Sequence, residues 1–331
     1  MKLARFANES GNVDWTVIVR DEAFDFELIQ PGNVVELSTD NSPVQELLRR
    51  QPLRLAILDQ MRRSNRLAGQ VELLSGLDCE EFVGRRQPLS QLENKWLPPI
   101  EATSFRDFYA FEGHVRAARK RRGLEMVPEW YDAPAFYFSN TASIVGHLAP
   151  IEKPGDTNEL DYELEIAIVV GRDGKDITVD EADDYIAGYT ILNDWSARDI
   201  QRREMKVGLG PAKGKDFATS IGPYLVTPDE LEDRVLADTS RGKRYDLEMT
   251  AFVNGRQYSK GNASTMHWTF AELIAQASRN TMLRSGDLIG SGTVGTGCIT
   301  EFAEGVFPWL ESGDVVRLEI ERLGALENRV V

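Results

Sequence analysis

Four carboxylates and a histidine carry most of the chemistry open to this chain. The run Gly188-Tyr-Thr-Ile-Leu-Asn-Asp-Trp-Ser-Ala-Arg-Asp-Ile-Gln-Arg-Arg-Glu204 passes from an apolar, strand-like stretch into a dense set of polar groups. If the residues after Asn193 turn into a helix, Asp194, Arg198 and Gln201 stand at i, i+4 and i+7 and share one face. Upstream, Leu160-Asp-Tyr-Glu-Leu-Glu-Ile-Ala-Ile-Val-Val-Gly171 reads as a strand, on which Glu163 and Glu165 must point to the same side. Asp107 and His114, seven apart in Ser104–Arg122, would likewise share a face of a helix. If Asp107, Glu163, Glu165 and Asp194 converge, they need a cation, because uncompensated charge in a desolvated site is costly. An all-oxygen set without cysteine suits a hard ion such as Mg²⁺, Ca²⁺ or Mn²⁺. The competing reading leaves Glu163 and Glu165 on the solvent face of a half-exposed strand, and spacing alone slightly favours it. A single histidine is more often packed or solvated than catalytic, so spacing gives His114 no role by itself.

The elements that must position these groups are mostly strands. From Ala135 onward the chain reads as β in character: Phe136–Phe138, Ser143–Val145, the glutamate strand, Asp246–Val253 with a hairpin-like Asn254-Gly255, and Val315–Ile320. Helical patterns interrupt it at Thr178–Ile186, after Asp194 and at Thr269–Ala277. Gly208–Thr219 is a glycine-rich loop with Lys213 and Lys215; its glycine spacing is wrong for a Walker A phosphate loop, but it allows close backbone approach to a ligand. The basic run Arg119-Lys-Arg-Arg122 reads first as a solvated helix end and second as a clamp for an anionic substrate. Before residue 98, strands are expected at Trp15–Arg20 and Val34–Leu37, a turn at Pro31-Gly32, and helix over Val44–Arg54 and Leu55–Arg63, with no chemical motif. Two prolines in Leu97-Pro-Pro-Ile100 mark a boundary, giving an N-terminal domain over 1–97 and a second domain over 98–331.

Composition narrows the partners. The 331 residues suffice for two domains or a large one with an appendage. With 38 basic against 53 acidic residues, the formal net charge of −15 argues against nucleic acid or an anionic membrane surface. Cys79 and Cys298 are far apart and in no metal-ligand spacing, so a reducing compartment is expected. No charged-then-apolar leader stands at Met1–Arg5 and no apolar run approaches about 18 residues. A soluble cytoplasmic protein is the expectation.

Asn193-Asp-Trp-Ser-Ala-Arg-Asp-Ile-Gln201, Leu209-Gly-Pro211 and Gly214-Lys-Asp-Phe-Ala-Thr219 resemble the signature of the fumarylacetoacetate hydrolase family. So do Asp161-Tyr-Glu-Leu-Glu165, Arg106-Asp-Phe-Tyr109 with His114, and Gly286-Asp-Leu-Ile-Gly-Ser-Gly-Thr293 followed by Gly297-Cys-Ile-Thr-Glu301, all in family order. The resemblance implies a β-rich α+β fold, a mixed β-sandwich or roll preceded by a smaller N-terminal domain, commonly in a homodimer. It implies Asp107, Glu163, Glu165 and Asp194 as ligands of a divalent cation, Mg²⁺ before Ca²⁺ or Mn²⁺. His114 falls on the general base that activates water, Glu301 on the acid that orients it, and Lys215 and Gln201 on groups that hold substrate oxygens. Arg198 is their polar neighbour, Tyr109 and Tyr137 match substrate-contacting tyrosines, and Thr293 lies in the pocket.

The implied reaction is hydrolysis of a carbon–carbon bond in a 1,3-diketo acid of acylpyruvate, fumarylpyruvate or fumarylacetoacetate type. The alternative is an oxaloacetate-type decarboxylase, or an isomerase or hydratase of a related 2-keto acid, at the same metal site; a third reading binds a keto acid without turnover. Tyr137-Phe-Ser-Asn-Thr-Ala-Ser143 stands where the family usually has a basic, glycine-containing stretch, which points away from fumarylacetoacetate itself. Retention of His114 and Glu301 favours hydrolysis, since isomerisation needs no activated water.

Overall fold

A computed structural model describes residues 2–7, 13–19, 22–25, 86–88 and 96–331, with side chains for 2–7 and 96–331. The expectations for Pro31-Gly32, Val34–Leu37, Val44–Arg54 and Leu55–Arg63 lie outside the described residues, as does Cys79. The Trp15 strand is present as Val13–Val19.

The main sheet is built on two strands buried along their whole length, Leu164–Val170 and Ile186–Asp194. They pair antiparallel, Leu164 opposite Asn193 and Glu165 opposite Leu192. Continuous apolar runs of this kind are what a strand covered on both faces requires. Side chains alternate between two clusters, as a period of two dictates: Leu164, Ile166, Ile168 and Val170 enter the larger core, Ala167 and Val169 a smaller one. Beyond Leu164–Val170 the sheet continues through Leu288–Gly290, Phe105–Phe108 and Phe136–Ser139; beyond Ile186–Asp194 it continues through Thr219–Val226 to Lys2–Ala7 and Val13–Val19. Leu3 pairs with Leu225 where Lys2–Ala7 meets Thr219–Val226.

A second sheet runs Arg256–Asn262, Glu248–Val253, Val315–Ile320, Gly324–Val330, Pro150–Ile151. Its first hairpin turns at Asn254-Gly255 with φ of +51° and +76°, the left-handed pair that a two-residue hairpin demands. Met249, Ala251, Val316, Leu318 and Leu326 of this sheet share the larger core with the even-numbered residues of Leu164–Val170. The fold is therefore the expected β-rich sandwich. Among the described residues helices are few and short. Thr269 and Glu272 form a capping box that starts Phe270–Ser278, and Thr178 with Glu181 does the same for Val179–Ala182.

Two helical expectations fail. Asp107 lies on the Phe105–Phe108 strand, and the helix carrying His114 starts only at Glu112. Asp194 is the last residue of its strand, and the next helix is Arg198–Met205. In both places pairing in the buried sheet overrides helical spacing, since each carboxylate is held by a neighbouring strand.

Candidate metal centre and its histidine

Alternation explains why the carboxylates meet. Phe105 enters the smaller core, so Asp107 two residues on faces the same way; Ala167 does too, and with it Glu165; Leu192 does, and with it Asp194. These strands lie side by side in register, with Gly290 opposite both Asp107 and Ala167. Gly290 keeps the middle open, because a Cβ there would stand 2.5 Å from Asp107 Oδ1 and 3.2 Å from Glu165 Oε2. Glu163 joins from just before its strand, its backbone N–H donating to Asn193 Oδ1 at 2.9 Å. One oxygen from each of Asp107, Glu163, Glu165 and Asp194 lies within 4.8 Å of the others. Exposures of 3, 5, 0 and 0% rule out the solvent-face reading of the two glutamates.

The charges in this nest are unequally compensated. Lys215 Nζ donates to Asp194 Oδ2 at 2.6 Å and to Glu163 Oε2. Arg198 Nη2 contacts Glu163 Oε1 at 2.7 Å and Asp161 Oδ2 at 2.8 Å, as charge contacts without hydrogen-bond alignment. Burial alone would raise the Glu163 carboxyl, but Lys215, Arg198 and His114 outweigh it and hold it below the ordinary range. Burial depresses Lys215, yet Asp194 and Glu163 outweigh that and keep it an ammonium. Asp107 and Glu165 have no cation of their own. Burial first, then Asp194 against Asp107 and Asp107 against Glu165, push both carboxyls well above the usual range. Both accept the Gly292 N–H, at 3.2 and 3.1 Å.

Asp194 Oδ1 is buried with no hydrogen-bond partner. A buried, unmatched carboxylate costs several kcal/mol, so this nest has to hold protons or a cation. Four oxygen donors without sulfur or nitrogen fit a hard divalent ion such as Mg²⁺, Ca²⁺ or Mn²⁺. The residues present therefore fit the group expected of them.

His114 stands beside the nest, 6% exposed, its Nδ1 at 2.7 Å from Glu301 Oε1. Glu301 Oε2 accepts the Thr296 N–H at 2.8 Å, so the carboxylate is fixed at both oxygens. The Tyr109 ring meets His114 edge-on at 5.4 Å between centroids, and burial raises its hydroxyl to about 12. Tyr137 donates to Asp194 Oδ2 and stays protonated, held up by burial and by Asp194. Thr293 Oγ1 reaches Glu165 Oε1 at 3.4 Å, and Gln201 Oε1 accepts from Arg198 at 3.1 Å. Of the twelve residues singled out from the sequence, nine are thus joined around the nest, and Tyr109, His114 and Glu301 form a group of their own that Asp161, through Arg198 and Thr300, ties to them. The basic run 119–122 ends the His114 helix, and Arg121 donates to the carbonyls of Thr300 and Phe302. That ties this helix to the Glu301 turn and supports the helix-end reading over a substrate clamp.

Asp161 is the residue the sequence reading passed over. It is fully buried and accepts from Arg198 Nε at 2.8 Å, Ile299 N at 2.8 Å, Thr300 N at 3.2 Å and Thr300 Oγ1 at 3.0 Å. It joins the glutamate strand to the turn that presents Glu301. Only its place two residues before Glu163 hinted at this. Cys298 is fully buried in the same turn, and burial pushes its thiol well up, so it is a neutral neighbour of the histidine pair.

The profile described as fumarylacetoacetate (FAA) hydrolase C-terminal matches residues 103–331. The chain belongs to the fumarylacetoacetate hydrolase family. Its members are enzymes that use a divalent metal. Two curated relatives are a mitochondrial oxaloacetate tautomerase of Xenopus laevis, 38% identical over 201 residues (60% of this chain, 58% of the relative), and a fumarylacetoacetase of Arabidopsis thaliana, 35% identical over 253 residues (64% of this chain, 60% of the relative). The matches thus span about three-fifths of those relatives' length. Among solved structures, a 5-carboxymethyl-2-hydroxymuconate delta-isomerase from Mycobacterium smegmatis superposes with a TM-score of 0.64 at 26% identity, covering 100% of this chain and 99% of that one. Hydrolase, tautomerase and isomerase all occur among proteins similar to this one. Among the described residues no helix is long and apolar enough to cross a membrane.

Proposed function

We propose that this protein is a metal-dependent hydrolase that cleaves a carbon–carbon bond in a 1,3-diketo acid of acylpyruvate, fumarylpyruvate or fumarylacetoacetate type. The observation that supports this most directly is the 2.7 Å His114–Glu301 pair standing beside the carboxylate nest. Residues 98–331 form the catalytic unit in this reading, and 1–97 an N-terminal domain, whose first strand extends the main sheet, of a cytoplasmic protein.

Asp107, Glu163, Glu165 and Asp194 would hold the cation, Mg²⁺ in the first place, which when bound supplies Lewis acidity toward the keto-acid oxygens. Glu301 accepts the Nδ1–H of His114 and so leaves Nε2 free to take a proton from water. The hydroxide so formed adds to a substrate carbonyl. Lys215, Gln201 and Arg198 place donors for the oxyanion that develops. Tyr109 and Tyr137 line the substrate side, and Thr293 steadies Glu165. As the carbon–carbon bond breaks, its electron pair leaves with the other carbonyl fragment as an enolate. The proton held on His114 returns to that carbon, giving a carboxylic acid and a ketone or keto acid. Substitution His114→Ala is expected to lower turnover about 10²–10⁴-fold, read as loss of diketo-acid absorbance with Mg²⁺ or Mn²⁺ and with EDTA as the blank. Unchanged turnover in that variant would remove the hydrolase mechanism.

The tautomerase relative favours a second reading, in which the same site interconverts forms of an oxaloacetate-like 2-keto acid. Products separate the two. Hydrolysis consumes water and yields two fragments, whereas tautomerisation leaves the carbon skeleton whole and decarboxylation releases CO₂.

A further inference from the structure

The sequence places Cys298 in no metal-ligand spacing, but the fold gives it two partners from other parts of the chain and its own turn. His114, Cys298 and Glu301 each offer a ligand atom within 4.8 Å of the other two. Cys298 Sγ lies 3.7 Å from Glu301 Oε1, and His114 Nδ1 lies 2.7 Å from the same oxygen. Around a tetrahedral Zn²⁺, with bonds of about 2.0–2.3 Å, neighbouring ligand atoms stand roughly 3.3–3.8 Å apart. The sulfur–oxygen spacing already meets this, and the nitrogen–oxygen one has to open by less than about 1 Å. The donor set differs in kind from the carboxylate nest. Thiol, imidazole and one carboxylate suit a borderline or soft ion, whereas four carboxylates suit a hard one.

We propose that His114, Cys298 and Glu301 form a second metal site, selective for Zn²⁺ and similar thiophilic divalent ions, whose occupancy shuts off the histidine. Three protein ligands leave a fourth position for water. On binding, the Cys298 thiol gives its proton to solvent as the metal–sulfur bond forms, and the imidazole passes its Nδ1 proton to solvent and takes one up at Nε2, so that Nδ1 donates a lone pair to the ion in place of its hydrogen bond to Glu301 and Nε2 can no longer accept a proton. Thr296 of the same turn is exposed and Thr300 half-buried.

Metal binding here does not depend on the hydrolase reading, whereas inhibition does, because it requires His114 to act as base. The test is Co²⁺ titration of the Mg²⁺-saturated protein, followed by absorption. The expected result is one equivalent giving a near-ultraviolet thiolate-to-cobalt charge-transfer band that Zn²⁺ bleaches. The band should be lost in Cys298→Ser and Cys298→Ala and retained in Cys79→Ser. Absence of the band from the parent, its survival in both Cys298 variants, or its loss in Cys79→Ser would overturn the site. In parallel, Zn²⁺ should inhibit turnover of whichever substrate the parent accepts, and Cys298→Ser should escape it. A cobalt band without inhibition would keep the site and count against His114 as base.

Discussion

Asp161 and Asp107 make an instructive pair, because both are buried aspartates on strands within one site and their surroundings are opposite. Asp161 has a guanidinium, two backbone N–H groups and a hydroxyl pointed at it. Asp107 has one long backbone contact and a second carboxylate, Glu165, as its nearest polar company. A buried charge that is fully hydrogen-bonded and paired is a structural fixture, and breaking the pair costs about 3–5 kcal/mol. A buried charge facing like charges is an unfinished site. The two halves therefore divide the work: the Asp161–Arg198 half holds the glutamate strand to the Glu301 turn, and the Asp107–Glu165 half waits for a cation.

The sharpest way to break this contrast is to remove each aspartate. Asp161→Ala should destabilise the protein by about 3–5 kcal/mol with or without metal, measured by denaturant melts. Asp107→Asn should leave the metal-free protein as stable as the parent or more so, since it removes a repelling charge. Equal losses in both variants would erase the distinction. Next in size is metal itself. Mn²⁺ at a hundred times its Kd should add about 2.7 kcal/mol to the parent and nothing to Glu165→Gln, and EDTA should reverse the gain.

The last test is the pH dependence of the metal-free protein. Asp107 and Glu165 have folded pKa values raised above the unfolded ones, which lie near 3.8 and 4.5. Between those values and the raised ones the folded state binds more protons than the unfolded state, so stability falls as pH rises, by about 1.4 kcal/mol per pH unit for each such group. Melts without metal should therefore show lower stability at pH 8 than at pH 5.5, and saturating Mg²⁺ should flatten the slope. A metal-free slope of the opposite sign would mean that these carboxyls are compensated in some other way.

Much of the site was legible in the chain, for local reasons. Glu163 and Glu165 had to share a face because strands repeat every two residues. The helices starting at Thr178 and Thr269 and the Asn254-Gly255 turn are short-range signals, and each formed. Helical spacing misled where it was applied across an element boundary, at Asp107 to His114 and at Asp194 to Arg198. A periodicity rule holds only while one element lasts; Asp194 ends its strand, and Asp107 stands one residue before the end of its own. The Thr219–Val226 strand drew no expectation from the sequence, although it joins Ile186–Asp194 to Lys2–Ala7. Its glycine and proline at 222–223 disguise it.

The sequence by itself determined the family, through an Asp-Trp-Ser-Ala-Arg-Asp block too specific to arise from composition, and it determined which residue types could do the chemistry. Only the tertiary structure decided which of them touch. Strand alternation gives the face of a side chain, but not which strand lies next to it; that depends on how two apolar clusters are filled from both sides of the sheet. The Asp161 anchor, the uncompensated charge shared by Asp107 and Glu165, and the meeting of Cys298 with His114 are all contacts between segments far apart in the chain. No local pattern encodes them, because their energies come from burial and from charges brought together only when the sheet closes.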